Sequence, residues 1–267
     1  MPPISRPRGR GFTAWIQYEY AGSVTVAGSA DKDGSCIRYN SAMPRPLPRS
    51  FYARPTLTVA RELLGAVLAR RHPKTGVVLK GVIVESEAYV GEGDKACHAR
   101  AGRTPRTAVM YEEPGHAYVY LTYGMHYMLN VVTEPKGSPA AVLIRAVEPI
   151  QGLEEMRRGR GLDTLHLLAS GPGKLCQAFA LDLNQNGADL LGREVWIEPG
   201  TPVADEAVAT SARIGCETAA APWDLMPWRF YVAASRFVTP GRASFPRTAP
   251  ARSGSKLRPS QTALPAK

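Results

Sequence analysis

Long hydrophobic runs are absent from this sequence. No window approaches the roughly 20 consecutive apolar residues that a membrane-spanning helix needs. Arg6, Arg8 and Arg10 lie near the N-terminus, but no apolar segment with a small-residue cleavage site follows them, so the pattern does not predict a secretory signal. We therefore expect a soluble protein that is not secreted and does not bind membranes.

Paired cysteines are also absent. Four widely spaced cysteines match neither a metal knuckle nor a disulfide framework; they are Cys36, Cys97, Cys176 and Cys216. We interpret them as reduced thiols of an intracellular protein. The sequence predicts no metal site, and we expect the protein to need no cofactor.

Acidic residues are missing from the C-terminal end of the chain. The formal net charge is +10, yet residues 51–240 hold 20 Lys or Arg and 20 acidic residues. The excess lies at the ends, with 7 basic against 3 acidic residues in 1–50 and 6 against none in 241–267. Such tails can contact nucleic-acid phosphates in a salt-dependent way, or can simply be solvated; both interpretations remain open.

The domain organisation follows from composition. Both ends are rich in Pro, Gly, Ser and Arg, which predicts disorder. We predict that residues 1–45 are disordered or a wrongly assigned extension, with Met43 as the natural start. Residues 46–240 form one folded domain, large enough to bury a substantial core, and residues 241–267 form a disordered basic tail. We expect a monomer.

Periodicity predicts both helices and strands in the folded part. The predicted helices cover residues 56–70, 149–160 and 172–183. The predicted strands cover residues 77–89, 116–123, 127–134, 140–147, 213–214 and 228–233. This mixture indicates an α+β fold: a single compact domain around a curved, mainly antiparallel β-sheet, with flanking helices and a protruding β-hairpin.

Two carboxylates stand two residues apart on the first long strand. Glu85 and Glu87 should share one face, about 6.6 Å apart along the strand. That spacing suits the acid/base pair of a glycoside hydrolase, although a solvent-facing pair is the commoner explanation. Because Glu87 lies near the strand end, where loops gather catalytic groups, we favour Glu87 alone as a general base.

The predicted hairpin is dense in tyrosine. It contains Tyr118, Tyr120, Tyr123 and Tyr127. Such residues commonly serve cross-strand packing, but they could also stack on a planar base, at about 1 to 3 kcal/mol per base. The turn carries Tyr123, Met125 and His126, a bulky wedge that could enter a duplex and fill the gap left by a flipped nucleotide.

A basic loop follows the first long strand. Arg100, Arg103 and Arg106 could bind phosphates, although a solvated surface loop is nearly as plausible. Lys174 lies in GPGKLC, which matches a phosphate-binding loop too weakly to predict one. We interpret it as a helix start that could contact a DNA backbone.

Lysines could also act as Schiff-base nucleophiles if they were desolvated in a pocket. The candidates are Lys80, Lys95 and Lys136. We expect none of them to sit in an apolar surround, so we do not expect one to act in this way.

Four motifs and one spaced histidine carry a family resemblance. They are VESEAYVG (84–91), His98, GHAYVYLTYGMHYMLNVV (115–132), VLIRAVEP (142–149) and GPGKLCQA (171–178). With these residues the chain resembles the 3-methyladenine (alkyladenine) DNA glycosylase family, the methylpurine DNA glycosylases of base-excision repair. The resemblance covers residues 46–240 and excludes the tails.

The resemblance implies an activity and a substrate. A member of this family flips a damaged purine out of double-stranded DNA and hydrolyses its N-glycosidic bond, leaving an abasic site without cutting the strand. Glu87 matches the general base that activates water, and Arg145 matches the residue that helps hold the water and the nucleotide backbone. The protein would then be cytoplasmic and nucleoid-associated in a bacterium, or nuclear in a eukaryote.

The resemblance also implies roles for four residues of the base pocket and for one intercalating residue. Tyr89, His98 and Tyr120 match the residues that sandwich the purine, with His98 also able to hydrogen-bond its edge. Asn130 matches the residue that clashes with the 2-amino group of normal guanine. Tyr123 matches the side chain that intercalates from the minor groove.

Two other classes of function remain open. A catalytically silent damaged-DNA binder would keep the tyrosines and lose the base, and a nucleoside or glycan hydrolase would need no wedge. The preferred lesion among 3-methyladenine, 7-methylguanine, hypoxanthine and ethenoadenine is not predicted. Three residues near the motifs receive no role: Cys97, Met128 and Leu129.

Overall fold

A computed structural model describes residues 45–239 of the chain. The predictions for the two tails, and for Met43 as the start, lie outside the described residues. The α-helices are Arg49–Tyr52 (α1), Thr56–Glu62 (α2), Leu153–Arg160 (α3) and Pro172–Ala178 (α4). The strands are Val67–Arg71 (β1), Val78–Val90 (β2), Ala117–Thr122 (β3), His126–Thr133 (β4), Ala140–Gln151 (β5), Val195–Glu198 (β6), Val208–Ser211 (β7) and Arg229–Val232 (β8). Short 3-10 helices are His98–Ala101, Ala108–Tyr111, Leu165–Leu167, Leu183–Gln185 and Asp205–Ala207.

One open antiparallel sheet contains all eight of these strands. Its main order is β3-β4-β5-β2-β1-β6, and β7 joins through β8. The long strand β2 pairs with β5 along one edge; along the other edge its first half pairs with β1 and its second half with β8. The predicted α+β class with a mainly antiparallel sheet is therefore confirmed. No helix among residues 45–239 is long and apolar enough to cross a membrane.

Two compensating bulges exchange the faces of the central strands. The register of β2 against β5 shifts on either side of Glu85, so that Val84 is an extra residue on β2 and Arg145 is an extra residue on β5. Side chains alternate between the two faces of a strand, so one extra residue moves every following side chain to the opposite face. Ile83 and Ala88 therefore both lie in the main core. A bulge changes the direction in which a side chain points. The bulge at Arg145 turns that side chain away from the main core.

The main core fills the space between the sheet and the helices. α2 packs on β2 and β5, and α4 packs on β4 and β5. The hydroxyl of Ser86 on β2 donates a 2.7 Å hydrogen bond to the carbonyl of Ala60 in α2, which fixes the helix on the strand. The opposite face of β3, β4 and β5 is left to form a separate cluster and a cavity.

The helix predicted over residues 56–70 is wrong in its second half. α2 ends at Glu62, and β1 occupies Val67–Arg71. Gly65 lies between them with a φ of 88°, and a Cβ atom there would lie 2.0 Å from the carbonyl oxygen of Thr201. The apolar run after it is buried because β1 lies between β2 and β6, and such a run does not distinguish a strand from a helix.

Two other predicted helices are too long. The helix predicted over 149–160 begins at Leu153, because β5 continues to Gln151 in register with β2. The helix predicted over 172–183 ends at Ala178, and a residue with a positive φ follows two positions later. Local periodicity predicted neither the start of α3 nor the end of α4.

The C-terminal strands also differ in part. Residues 213–214 are not a strand; the strand of this region is Val208–Ser211, and residues 213–214 turn toward the interior of the domain. The strand predicted over 228–233 is found as β8, Arg229–Val232. Strand β6 was not predicted, since four residues carry too little periodicity.

Candidate active site

A cavity of about 270 Å³ lies on the face of the sheet opposite the main core. Alternate residues of β3, β4 and β5 point into it, and loops from both halves of the chain close its sides. The lining residues are Tyr89, Ala96, Cys97, His98, Met110, Tyr118, Tyr120, Thr122, Tyr123, Met128, Asn130, Ala141, Leu143, Arg145, Pro172, Ile214, Gly215 and Cys216.

Glu87 is fully buried directly beside this cavity. Its Oε1 accepts a 2.7 Å hydrogen bond from the backbone N–H of Ile214. Its Oε2 accepts from the hydroxyl of Tyr89 at 2.8 Å and from Nη1 of Arg145 at 3.2 Å. Glu87 does not itself line the cavity, but all three of its donors belong to residues that do. The carboxylate is thus held just behind the cavity wall.

Arg145 joins the two neighbouring carboxylates. Its Nε donates to Oε1 of Glu85 at 2.8 Å while its Nη1 donates to Glu87, and its side chain is 5% exposed. Burial opposes the charge of the guanidinium, but the carboxylates of Glu87 and Glu85 outweigh that cost and raise the pKa of Arg145 above its usual value. Arg145 therefore stays a cation at the floor of the cavity.

Glu85 has a different environment from Glu87. It is fully buried, and its Oε1 also accepts from Nε of Arg229 at 2.7 Å. Its Oε2 accepts from the backbone N–H of Thr239 at 2.6 Å. Arg229 and Thr239 do not line the cavity, and Arg145, the third donor to Glu85, also donates to Glu87. Glu85 therefore acts as a structural counter-ion. This arrangement disfavours the two-carboxylate glycosidase hypothesis and favours Glu87 alone.

Tyr89 presents one ring face to the cavity. The guanidinium of Arg213 lies 4.7 Å from the centroid of the Tyr89 ring and 5.1 Å from that of Trp228. Arg213 is itself fixed by a buried ion pair with Asp94, at 2.9 Å from Nη2 to Oδ1. Burial, and next the charge of Glu87, raise the pKa of the Tyr89 phenol well above its usual value, so its hydroxyl remains a hydrogen-bond donor.

His98 and two tyrosines form another wall. The rings of His98 and Tyr120 pack edge to face with centroids 4.6 Å apart, and Nδ1 of His98 lies 3.0 Å from the hydroxyl of Tyr118. Rings with centroids this close are in direct contact, with no room for a purine between them, so His98 and Tyr120 act together as one wall. Burial, with Arg106 and Arg100, lowers the pKa of His98 to about 4, which leaves the imidazole neutral at physiological pH.

Asn130 lies in the cavity wall with its orientation fixed. Its amide nitrogen donates a 3.0 Å hydrogen bond to the carbonyl of Tyr118 on the neighbouring strand, and the side chain is buried. Among the residues left without a role, Met128 and Cys97 line the cavity, whereas Leu129 points into the main core. Alternation along β4 explains the difference.

The hairpin tip projects beside the cavity. Tyr123 is 85% exposed and has a φ of 50°, and Gly124 follows with a φ of 68°. A left-handed conformation is a true outlier for a bulky residue and often marks a functional position. Met125 is also exposed at the tip, while His126 lies against Gly173 of α4, whose added Cβ would be 3.1 Å from the imidazole. Tyr123 and Met125 therefore project into solvent, whereas His126 lies against α4.

The residues predicted to bind phosphate differ in whether they form an ion pair within the protein. Arg103 forms an ion pair with Glu112 at 2.8 Å, which largely neutralises its charge. Arg100 and Arg106 are exposed and form no ion pair within the described part of the chain. Lys174 is half-buried near the start of α4. These four residues stay predictions for DNA contacts.

Within residues 45–239, no lysine lines the cavity. Lys80 pairs with Glu198 at 2.7 Å, and Lys136 lies near Glu112 and Glu113. Lys95 is exposed on the loop after β2. These positions do not supply a desolvated amine at the site.

Sequence reasoning missed the loop that follows β7. Arg213, Ile214 and Cys216 support or line the cavity, yet residues 213–214 were predicted only as a strand. The signal was weak, because one arginine before a glycine is common in any loop. Cys97, Cys176 and Cys216 are buried free thiols, and no group of three or more His, Cys, Asp or Glu within residues 45–239 could hold a metal ion.

A buried carboxylate lies behind an aromatic cavity, next to an exposed hairpin tip, and enzymes that act on a base taken out of a duplex need a pocket of this kind. A family model described as methylpurine-DNA glycosylase (MPG) matches residues 50–236. The chain belongs to this methylpurine-DNA glycosylase family and is a DNA N-glycosylase of base-excision repair.

Similar proteins agree with this assignment. Each of three carries the name "Putative 3-methyladenine DNA glycosylase". The protein of Prosthecochloris aestuarii is 46% identical over 72% of this chain and 89% of its own length. The protein of Salinibacter ruber is 48% identical over 74% and 98%, and that of Methanocella arvoryzae is 53% identical over 69% and 91%.

Proposed function

We propose that this glycosylase flips a damaged purine out of double-stranded DNA and hydrolyses its N-glycosidic bond with a water activated by Glu87. The supporting observation is the hydrogen bonding of Glu87. An ionised carboxylate has roughly four acceptor positions, and Ile214, Tyr89 and Arg145 use three of them. The fourth position can hold a water and take its proton as the water attacks C1′.

The damaged base stacks between Tyr89 on one side and the combined wall of His98 and Tyr120 on the other. Arg213 covers one face of Tyr89 and leaves the other for the base. Asn130, held by its bond to Tyr118, meets the edge where guanine carries its 2-amino group. A normal guanine would then be rejected by a rigid clash, which a flexible side chain could not supply.

Tyr123 enters the duplex where the base has left. Its exposure and its position on a turn beside the cavity support this role. Stacking on the remaining base pairs offsets part of the unstacking cost of a few kcal/mol. Met125 extends the same apolar wedge, and His126 follows at its base.

The bond is cleaved by hydrolysis alone, and the product is an intact strand with an abasic site. Support comes from the lining of the cavity, which includes no lysine among the described residues. The carboxylate of Glu87 stabilises the positive charge on the sugar and orients the water, and Arg145 helps to hold the water and the nucleotide backbone. We expect a monomer to suffice.

The experiment is an excision assay on defined duplexes. We would incubate the protein with duplexes carrying hypoxanthine, ethenoadenine or 7-methylguanine, and with an undamaged duplex, and reveal abasic sites with alkali. Cleavage at lesions only is expected, and no strand cleavage before alkali. Intact lesions that are nevertheless bound would indicate a silent damaged-DNA binder, and equal activity on a free nucleoside would indicate a nucleoside hydrolase.

A further inference from the structure

Arg106 lies over a ring of the base cavity and has no carboxylate counter-ion among residues 45–239. The guanidinium of Arg106 lies 4.9 Å from the centroid of the Tyr120 ring, on the wall that faces the base. Arg106 is exposed, and within residues 45–239 it forms no ion pair with a carboxylate. The groups that feel its charge are those of the same wall, His98, Tyr118 and Tyr120.

Two other guanidinium groups at the cavity are neutralised. Arg145 shares Glu85 and Glu87, and Arg213 pairs with Asp94. Arg100 also forms no ion pair within residues 45–239, but its Nη1 donates to the carbonyl of Lys95 at 2.8 Å. His98 adds no charge at physiological pH because its pKa is lowered to about 4. Arg106 therefore contributes an uncompensated positive potential on one side of the space for the base.

We propose that Arg106 is a specificity-determining residue that disfavours cationic bases, so that this enzyme favours neutral damaged purines, the deaminated and etheno types, over permanently cationic alkylated ones. The inference rests on the proposed function of the cavity. A purine stacked on Tyr120 at a contact distance of about 3.5 Å would have the Arg106 charge, 4.9 Å from the ring centroid, within about 8 Å. At an effective dielectric constant of about 20, and reduced for solvent screening of an exposed group, this repulsion disfavours a cationic base about 3- to 10-fold.

A phosphate contact by Arg106 would behave differently. Loss of a phosphate contact weakens binding to every duplex alike and makes the salt dependence shallower. Loss of a repulsion inside the site changes only the ratio between cationic and neutral bases. The ratio therefore separates the two roles.

The test compares single-turnover excision of 7-methylguanine, which is cationic, with that of hypoxanthine, which is neutral, below neutral pH. For Arg106→Gln we expect the ratio of the two rates to rise about 3- to 10-fold in favour of 7-methylguanine. Arg106→Lys keeps the charge and should keep the wild-type ratio. Arg236→Gln is the matched control, because Arg236 is also exposed over a ring, Phe237 at 5.4 Å, away from the cavity.

The outcomes are distinct. An unchanged ratio in Arg106→Gln, or an equal slowing of both lesions with a shallower salt dependence, would overturn the specificity role and leave the glycosylase function intact. A wild-type protein that excises neither lesion would overturn the proposed function, and this inference with it.

Discussion

The backbone N–H of Ile214 donates a 2.7 Å hydrogen bond to Oε1 of Glu87, across 127 positions of the sequence. The same carboxylate receives Tyr89 and Arg145 on its other oxygen. A loop from the C-terminal part of the domain therefore helps to hold Glu87, the proposed general base, on the central strand. The carboxylate is fixed before substrate arrives, which is the condition for efficient proton transfer from a positioned water.

Tyr123→Gly separates function from stability at the hairpin tip. Glycine adopts a φ of 50° without strain, whereas tyrosine there is strained by about 1 to 3 kcal/mol. We expect thermal unfolding to show no loss of stability, while single-turnover excision slows by about tenfold because base stacking is lost. Tyr123→Phe keeps the ring and should keep the rate. A destabilised Tyr123→Gly, or one that excises normally, would contradict the wedge.

The Asp94–Arg213 pair should be strongly coupled. Both side chains are fully buried, so either one left alone is an uncompensated charge. We expect Arg213→Met or Asp94→Asn to cost about 3 to 5 kcal/mol each, and the double variant to cost clearly less than their sum. Urea unfolding of the four proteins measures the coupling. Additive losses would show that the two residues act independently.

The neutrality of His98 predicts a pH dependence of stability. Its pKa is lowered from 6.5 in the unfolded chain to about 4, so between these values the unfolded state binds more protons and stability falls as pH falls. Between pH 7 and pH 5 the wild type should lose about 1 to 2 kcal/mol more than His98→Gln, allowing for partial exposure. Unfolding titrations of both proteins provide the comparison. Equal losses would contradict a neutral His98.

Much of the site was predictable because it lies on strands with clear alternation. Tyr118 and Tyr120 are two residues apart on β3, and the hairpin brings β4 with Asn130 beside them. Asn130 therefore pairs opposite Tyr118 in the register. Alternation alone also placed Glu85 and Glu87 on one face, and both do contact Arg145.

Other features needed three-dimensional information. The bulges at Val84 and Arg145 leave no mark in periodicity, although they decide which residues reach the core. The contact between His98 and Tyr120, which makes them one wall, depends on the loop path after β2. Residues 67–71 read as a helix because burial on both sides removes the alternation of a strand.

The most direct test of the account is single-turnover excision of hypoxanthine from a duplex by Glu87→Gln. Its control is Glu112→Gln, which makes the same chemical change at a surface ion pair outside the cavity. Loss of a general base should slow excision by about 10² to 10⁴-fold. Lesion-duplex binding, measured by fluorescence anisotropy, should persist in Glu87→Gln, and Glu112→Gln should match the wild type. Excision by Glu87→Gln at the wild-type rate would contradict the central claim.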